Sequence, residues 1–154
     1  MPSFFFLFPS DSNPNGAALM LADAEATTIV AQGVWLGNSA TVVSGTGARQ
    51  SVQVAGTLNS RGFSAIWLEA PDAQVLVAKT GMVQSVGFQS NSSAITTSGH
   101  VLNEGSISGG TGVVLYPRGA GPVTLANHGL IAGLGNAAGA AAITVQVLAG
   151  ASGQ

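Results

Sequence analysis

Two phrases in the second half of the chain share one order of apolar and polar positions. "VLNEGSISG" (Val101 to Gly109) and "TLANHGLIAG" (Thr124 to Gly133) each run apolar, Asn, polar, Gly, variable, Ile, and then a small-residue exit to Gly. Their central glycines, Gly105 and Gly129, lie 24 residues apart. Stepping back from Gly105, Gly81, Gly56 and Gly33 follow at intervals of 24, 25 and 23. Two residues after these marks stand Trp35, Leu58, Val83, Ile107 and Ile131. Four residues before them stand Ile29, Val52, Val77, Val101 and Leu125. Every member of both columns is large and apolar, and most are β-branched, the side chains that suit a pleated surface.

The two columns are six residues apart, an even number that places them on one face of an extended segment. A second apolar patch follows each mark: "TVV" at 41–43, "AIWL" at 65–68, "GVVL" at 112–115 and "AAAI" at 140–143, with Phe88 and Ile95 in the weaker third copy. A third patch precedes the next mark, as in "QVLV" at 74–77 and "PVTL" at 122–125. Short apolar runs joined by Gly, Ser, Asn and Pro predict strands and turns rather than helices, and the glycines within the Ala-rich run at 137–142 place it with them. The pattern predicts an all-β, single-domain parallel β-solenoid (β-helix) of about five to six coils, roughly 24 residues per coil and stacked roughly 4.8 Å apart. Residues 29–154 form the repeat domain in this reading, and 1–28 form an N-terminal cap or docking segment. Asn103 and Asn127, each two before its mark, are placed to stack as an amide ladder.

The stretch "NEGSISGGTGVVLYPRGAGPVTLANHGLIAG" resembles the N-x-G-x-I repeats of bacterial surface β-solenoids, the autotransporter passengers and filamentous-haemagglutinin-like adhesins. The match runs over residues 100–133 and thins upstream, where the Asn position holds Ala31, Val54 and Lys79. The resemblance implies scaffold architecture and a place at the cell surface. It implies no particular activity.

Composition narrows the function. Charged residues make up 6% of the chain and the net charge is −2. Arg49, Arg61, Lys79 and Arg118 are scattered one at a time, which excludes a nucleic-acid footprint. No apolar stretch is long enough for a membrane span; Phe4 to Phe8 ends at Pro9, too short and without the basic flank of a secretory signal. Cysteine is absent, so disulfides are excluded. No metal-ligand spacing and no phosphate loop is present, so no metal and no cofactor is expected. Glu104 and His128, each one before a mark, are the best-placed acid–base pair, yet one carboxylate beside one imidazole more often makes a surface pair than a catalytic dyad. No catalytic residue is assigned.

Positions three before, one before and one after each mark are expected to face solvent. They include Val30, Val34, Met82, Leu102 and Leu130, a set of apolar residues that reads as a self-association face. The expected function is a non-enzymatic structural solenoid forming a homo-oligomer or filament at the cell surface or outside the cell, with a virion as the alternative place. A second reading is a fibre or adhesin module that binds carbohydrate through Trp67 or Tyr116. A polysaccharide-active enzyme built around Glu104 is the third.

Overall fold

The computed structural model describes residues 3–87, 92–119, 121–134 and 142–145. These residues wind as a parallel β-solenoid in which each full coil gives one strand to each of three parallel sheets. Sheet A stacks β1 (Phe4–Leu7), β3 (Thr27–Val30), β6 (Ser51–Val54), β9 (Gln74–Val77), β12 (His100–Asn103) and β15 (Thr124–Asn127). Sheet B stacks β4 (Trp35–Asn38), β7 (Thr57–Ser60), β10 (Met82–Ser85), β13 (Ser106–Gly109) and β16 (Leu130–Gly133). Sheet C stacks β2 (Leu19–Leu21), β5 (Val43–Gly45), β8 (Ile66–Leu68), β11 (Ser93–Thr97), β14 (Thr111–Leu115) and β17 (Ile143–Val145). Thr27 pairs with Ser51 and His100 with Thr124, each 24 residues on. Parts of the pattern, Phe88 and most of the Ala-rich run at 137–142, lie outside the described residues.

Each strand is three to five residues long, and apart from the buried starts of β11 and β14 the strands alternate inward and outward, so the core is a set of vertical columns. On sheet B the inward column is Leu36, Leu58, Val83, Ile107 and Ile131. On sheet A, Val52, Val75 and Val101 form one column, and Val30, Val54 and Val77 lead into Asn103 and Asn127 in the other. Sheet C contributes Val43, Ile66, Ile95 and Val113. Stacking identical apolar shapes at strand spacing leaves few voids, and β-branched side chains lose little extra freedom there.

The glycine marks are corners between sheets A and B rather than points inside one strand. The slot is filled successively by Val34, Gly56, Gly81, Gly105 and Gly129. Its carbonyl accepts from the first amide of the next coil's sheet B strand: Thr57 N–H to Val34 O at 2.8 Å, Met82 N–H to Gly56 O at 2.9 Å, Ser106 N–H to Gly81 O at 3.0 Å and Leu130 N–H to Gly105 O at 2.9 Å. That contact leaves no room for a side chain on the later coils. A Cβ on Gly129 would fall 2.1 Å from Gly105 O, and one on Gly105 would fall 2.4 Å from Gly81 O.

Corner length varies, and this moves several residues from their expected places. Residues 31–34 and 78–81 make four-residue corners closed by Val34 N–H to Ala31 O at 3.1 Å and Gly81 N–H to Ala78 O at 2.8 Å. The corners at 55–56, 104–105 and 128–129 have two residues. Gly33 therefore serves the turn, at φ 85°, and the mark of its coil is Val34. One residue of offset puts Leu36, not Trp35, in the inward column, and Trp35 stands outside at 43% exposure. The same offset turns Ile29 outward between Phe6 and Gln53, while Thr28 faces in beside Val52. Val77, two residues late, stacks on Val54 and Asn103 rather than on Val52 and Val101. Val30 and Val34, expected on the outer face, are buried.

The opening residues also follow the coil path. β1 pairs with β3 on sheet A, Asn13 bridges to Leu36 on sheet B, and β2 pairs with β5 on sheet C. Gly37 accepts this segment closely: a Cβ there would meet Pro14 O at 2.3 Å.

Two substitutions test the register. Ile107→Asp buries an unpaired carboxylate in the sheet B column and is expected to cost several kcal/mol by urea denaturation. Ser106→Asp, on the outer side of the same strand, is expected to change stability by about 0.5 kcal/mol or less. Equal tolerance of both would refute the column. At the corner, Gly105→Ala is expected to cost about 2–3 kcal/mol, because backbone rather than a pliable side chain occupies the space.

Candidate functional site

The distribution of charge separates the corners of the fold from its strands. The charged residues are Asp11, Asp23, Glu25, Arg49, Arg61, Glu69, Asp72, Lys79, Glu104 and Arg118, and none of them lies in a strand. Asp23, Glu25, Arg49, Glu69, Asp72 and Arg118 occupy the corners that lead from sheet C to sheet A. Glu25, Arg49 and Asp72 hold the left-handed backbone region at φ 60°, 55° and 61°. They stack in consecutive coils, and Arg49 Nε donates to Glu25 Oε1 at 2.9 Å. Both side chains are more than half exposed, so the pair contributes little stability.

At the opposite corner Asn103 is fully buried and its amide is fully used. Nδ2 donates to Asn127 Oδ1 at 2.8 Å and to Leu130 O at 3.1 Å, and Oδ1 accepts the Gly105 N–H at 3.1 Å. Asn127 repeats the last contact with Gly129 N–H at 3.3 Å. The amide ladder is therefore real, and it joins the last two described coils.

Glu104 and His128 stand just outside this ladder, hydrogen-bonded through their backbones to Val77 O and Asn103 O on the preceding coils. Both side chains are exposed, and no ion pair joins them. His100 Nδ1 lies 2.8 Å from Thr124 Oγ1. No group of three or more His, Asp or Glu among the described residues is arranged to hold a metal ion. No helix among them is long and apolar enough to cross a membrane.

The outer faces hold the remaining candidates. On sheet B, Trp35, Thr57, Met82, Ser106 and Leu130 form one outward column. On sheet A, Phe6, Ile29, Gln53, Leu76, Leu102 and Ala126 form another. Met82 and Leu130 thus share a face, Leu102 lies on a different one, and Val30 and Val34 lie on neither. Trp35 completes the sheet B column, and sequence reasoning missed it only through the one-residue error at Gly33. The exposed Phe4, Phe6 and Phe8 at the first coil were likewise readable only once their strand was in register; the Phe6 and Phe8 ring centroids are 4.8 Å apart.

On sheet C the outward column is Met20, Ser44, Trp67, Thr96 and Val114. Beyond the strand ends the same stack continues with Glu69, Ser98 and Tyr116, whose amides bond to Gly45 O, Leu68 O and Thr97 O at 3.0, 3.1 and 2.9 Å. Arg118 returns over this stack: its Cζ is 5.1 Å from the Tyr116 ring centroid and its Nη2 is 3.8 Å from Glu69 Oε1. Thr96 Oγ1 belongs to a triangle of hydroxyls with Ser64 and Ser93, at 2.9 and 2.6 Å. Trp67 and Tyr116, named separately from the sequence, come to one face.

The chain matches no protein-family model, and neither a curated protein nor a solved structure is found similar to it.

Proposed function

We propose that this protein is a non-enzymatic structural solenoid that associates with copies of itself through the uncharged outer face of sheet B. Its setting would be a surface or extracellular assembly of the kind that bacterial surface β-solenoids build. The observation that carries this reading is the outward column of sheet B. Trp35, Met82 and Leu130 are 43%, 37% and 60% exposed in one line, and no strand of the molecule carries a charge. Solvent-facing sheets ordinarily alternate apolar and polar residues, and interface centres are depleted of charge.

Size sets the strength of such a contact. Five strands of four residues span about 24 Å by 13 Å, or about 300 Å². A stable standard interface buries about 800 Å² on each partner. One face alone therefore supports a weak contact, and an assembly would rest on repetition of that contact along the rod.

Light scattering across a concentration series is the test. The wild-type protein is expected to grow in mass with concentration, and Leu130→Glu is expected to hold it monomeric with an unchanged β-sheet circular dichroism spectrum. A wild-type protein that stays monomeric at high concentration would sink the proposal.

A further inference from the structure

We infer that the corner of sheet C bounded by Trp67, Glu69, Thr96, Tyr116 and Arg118 is a binding site for a neutral oligosaccharide, separate from any self-association face. Three features of the corner carry it. The first is a pair of aromatic side chains presented on one outer surface. Trp67 is 37% exposed in the outward column, and Tyr116 sits two coils further along and two positions beyond it. By strand spacing their Cα atoms are about 12 Å apart, room for consecutive sugar rings rather than for one. A pyranose offers one face of C–H groups, which packs on an aromatic ring, and a rim of hydroxyls, which needs hydrogen-bonding partners.

The second feature supplies those partners. Arg118 and Glu69 face each other at 3.8 Å, too far for a hydrogen bond, and neither side chain makes one elsewhere among the described residues. A guanidinium and a carboxylate held close but unspent offer donors and acceptors to vicinal hydroxyls, and bonds to charged groups are the stronger kind. Thr96, beside Trp67, is held from behind by Ser64 and Ser93, which fixes its hydroxyl in place.

The third feature is charge, which selects the ligand class. The corners around the site hold Asp23, Glu25, Glu69 and Asp72 against Arg49 and Arg118. An acidic or sulfated glycan meets a net negative surface there, and a neutral one does not. A peptide is the poorer occupant, because the face offers polar groups around isolated rings and no continuous apolar groove.

Intrinsic fluorescence gives a direct readout, since Trp35 and Trp67 are the two tryptophans of the chain. In a Trp35→Phe background, Trp67 emission is titrated with cellotetraose, maltotetraose, mannotetraose and, as the acidic counterpart, tetragalacturonate. At least one neutral tetrasaccharide is expected to shift the emission saturably in the millimolar range or below. Glu69→Gln and Tyr116→Ala, each checked for an unchanged β-sheet spectrum, are expected to weaken that binding by about tenfold or more, the worth of one charged hydrogen bond or one ring contact. Binding of the acidic sugar in preference to the neutral ones, no response to any of the four, or equal binding by both variants would each overturn the assignment. Leu130→Glu on sheet B is expected to leave the titration unchanged, so failure of self-association and failure of this site are distinguishable.

Discussion

Everything in this molecule depends on the approach of one coil's backbone to the next at the corner between sheets A and B. Strands in a parallel sheet sit about 4.8 Å apart, and a solenoid must keep that spacing around its corners as well as along its faces. At Gly56, Gly81, Gly105 and Gly129 a carbonyl of the coil below occupies the space a side chain would take. The corner glycines are therefore conditions of stacking, and the apolar columns on either side follow from them. Once the corner is held, Leu58, Val83, Ile107 and Ile131 have no freedom to be anything but neighbours.

The corner constraint also explains what was and was not legible in the sequence. Leu58, Val83, Ile107 and Ile131 follow their glycines at a constant distance because the strand after the corner starts immediately. Val77 precedes its mark across a corner of four residues instead of two, so counting back from the glycine lands in the wrong column, and Ile29 adds to that the one-residue error at Gly33. Gly33 deceived for a different reason: it is required by a positive φ inside the turn, while the close-approach slot of its coil, at the start of the stack, tolerates Val34. Two physical demands, left-handed backbone and absence of a side chain, select the same residue, and sequence alone does not separate them. Of the candidate sugar site, the two aromatic residues were visible as isolated rings. Their convergence depends on the short corner Ser98–Gly99, where a Cβ on Gly99 would meet Ala73 O at 1.9 Å. That shortness lets residues 116–119 of the next coil reach back toward Glu69, a consequence of corner length that no column count reveals.

Several of the polar groups that enter the core are received by ladders. Asn103 replaces the valines of its column because Asn127 and two backbone groups complete its hydrogen bonds. Gln50 is fully buried beside Gly45, and its Nε2 donates to Leu21 O and Asp23 O, both at 2.8 Å. Ser60 and Ser85 direct their hydroxyls to Phe63 O from consecutive coils. Part of the cost of burying these groups is thereby offset, and each partner comes from a neighbouring coil or from the turn itself, while Gln50 Oε1 and Thr28 Oγ1 stay unpartnered. These polar ladders tie coils together in register, a specificity that stacked valines, alike from coil to coil, do not supply on their own.

The same economy separates the strands from the corners in electrostatic terms. A chain with so few charges must place them where they reach water without disturbing the stack. An outward charge on a strand would sit about 4.8 Å from whatever occupied the same position on the next coil, so repeated like charges would repel along the rod. Where charged residues do stack at a corner, as Glu25, Arg49 and Asp72 do on consecutive coils, their signs alternate. Arg49 set beside Glu25 shows the alternative in which opposite charges stack. The outcome is a rod with charged vertices and neutral faces. On the reading proposed above, the vertices suit selective, hydrogen-bonded recognition and the faces suit contact that is apolar, weak and repeated. The proposed sugar site, at the edge of sheet C beside a charged corner, and the proposed association face on sheet B both follow from how a solenoid with few charges distributes them.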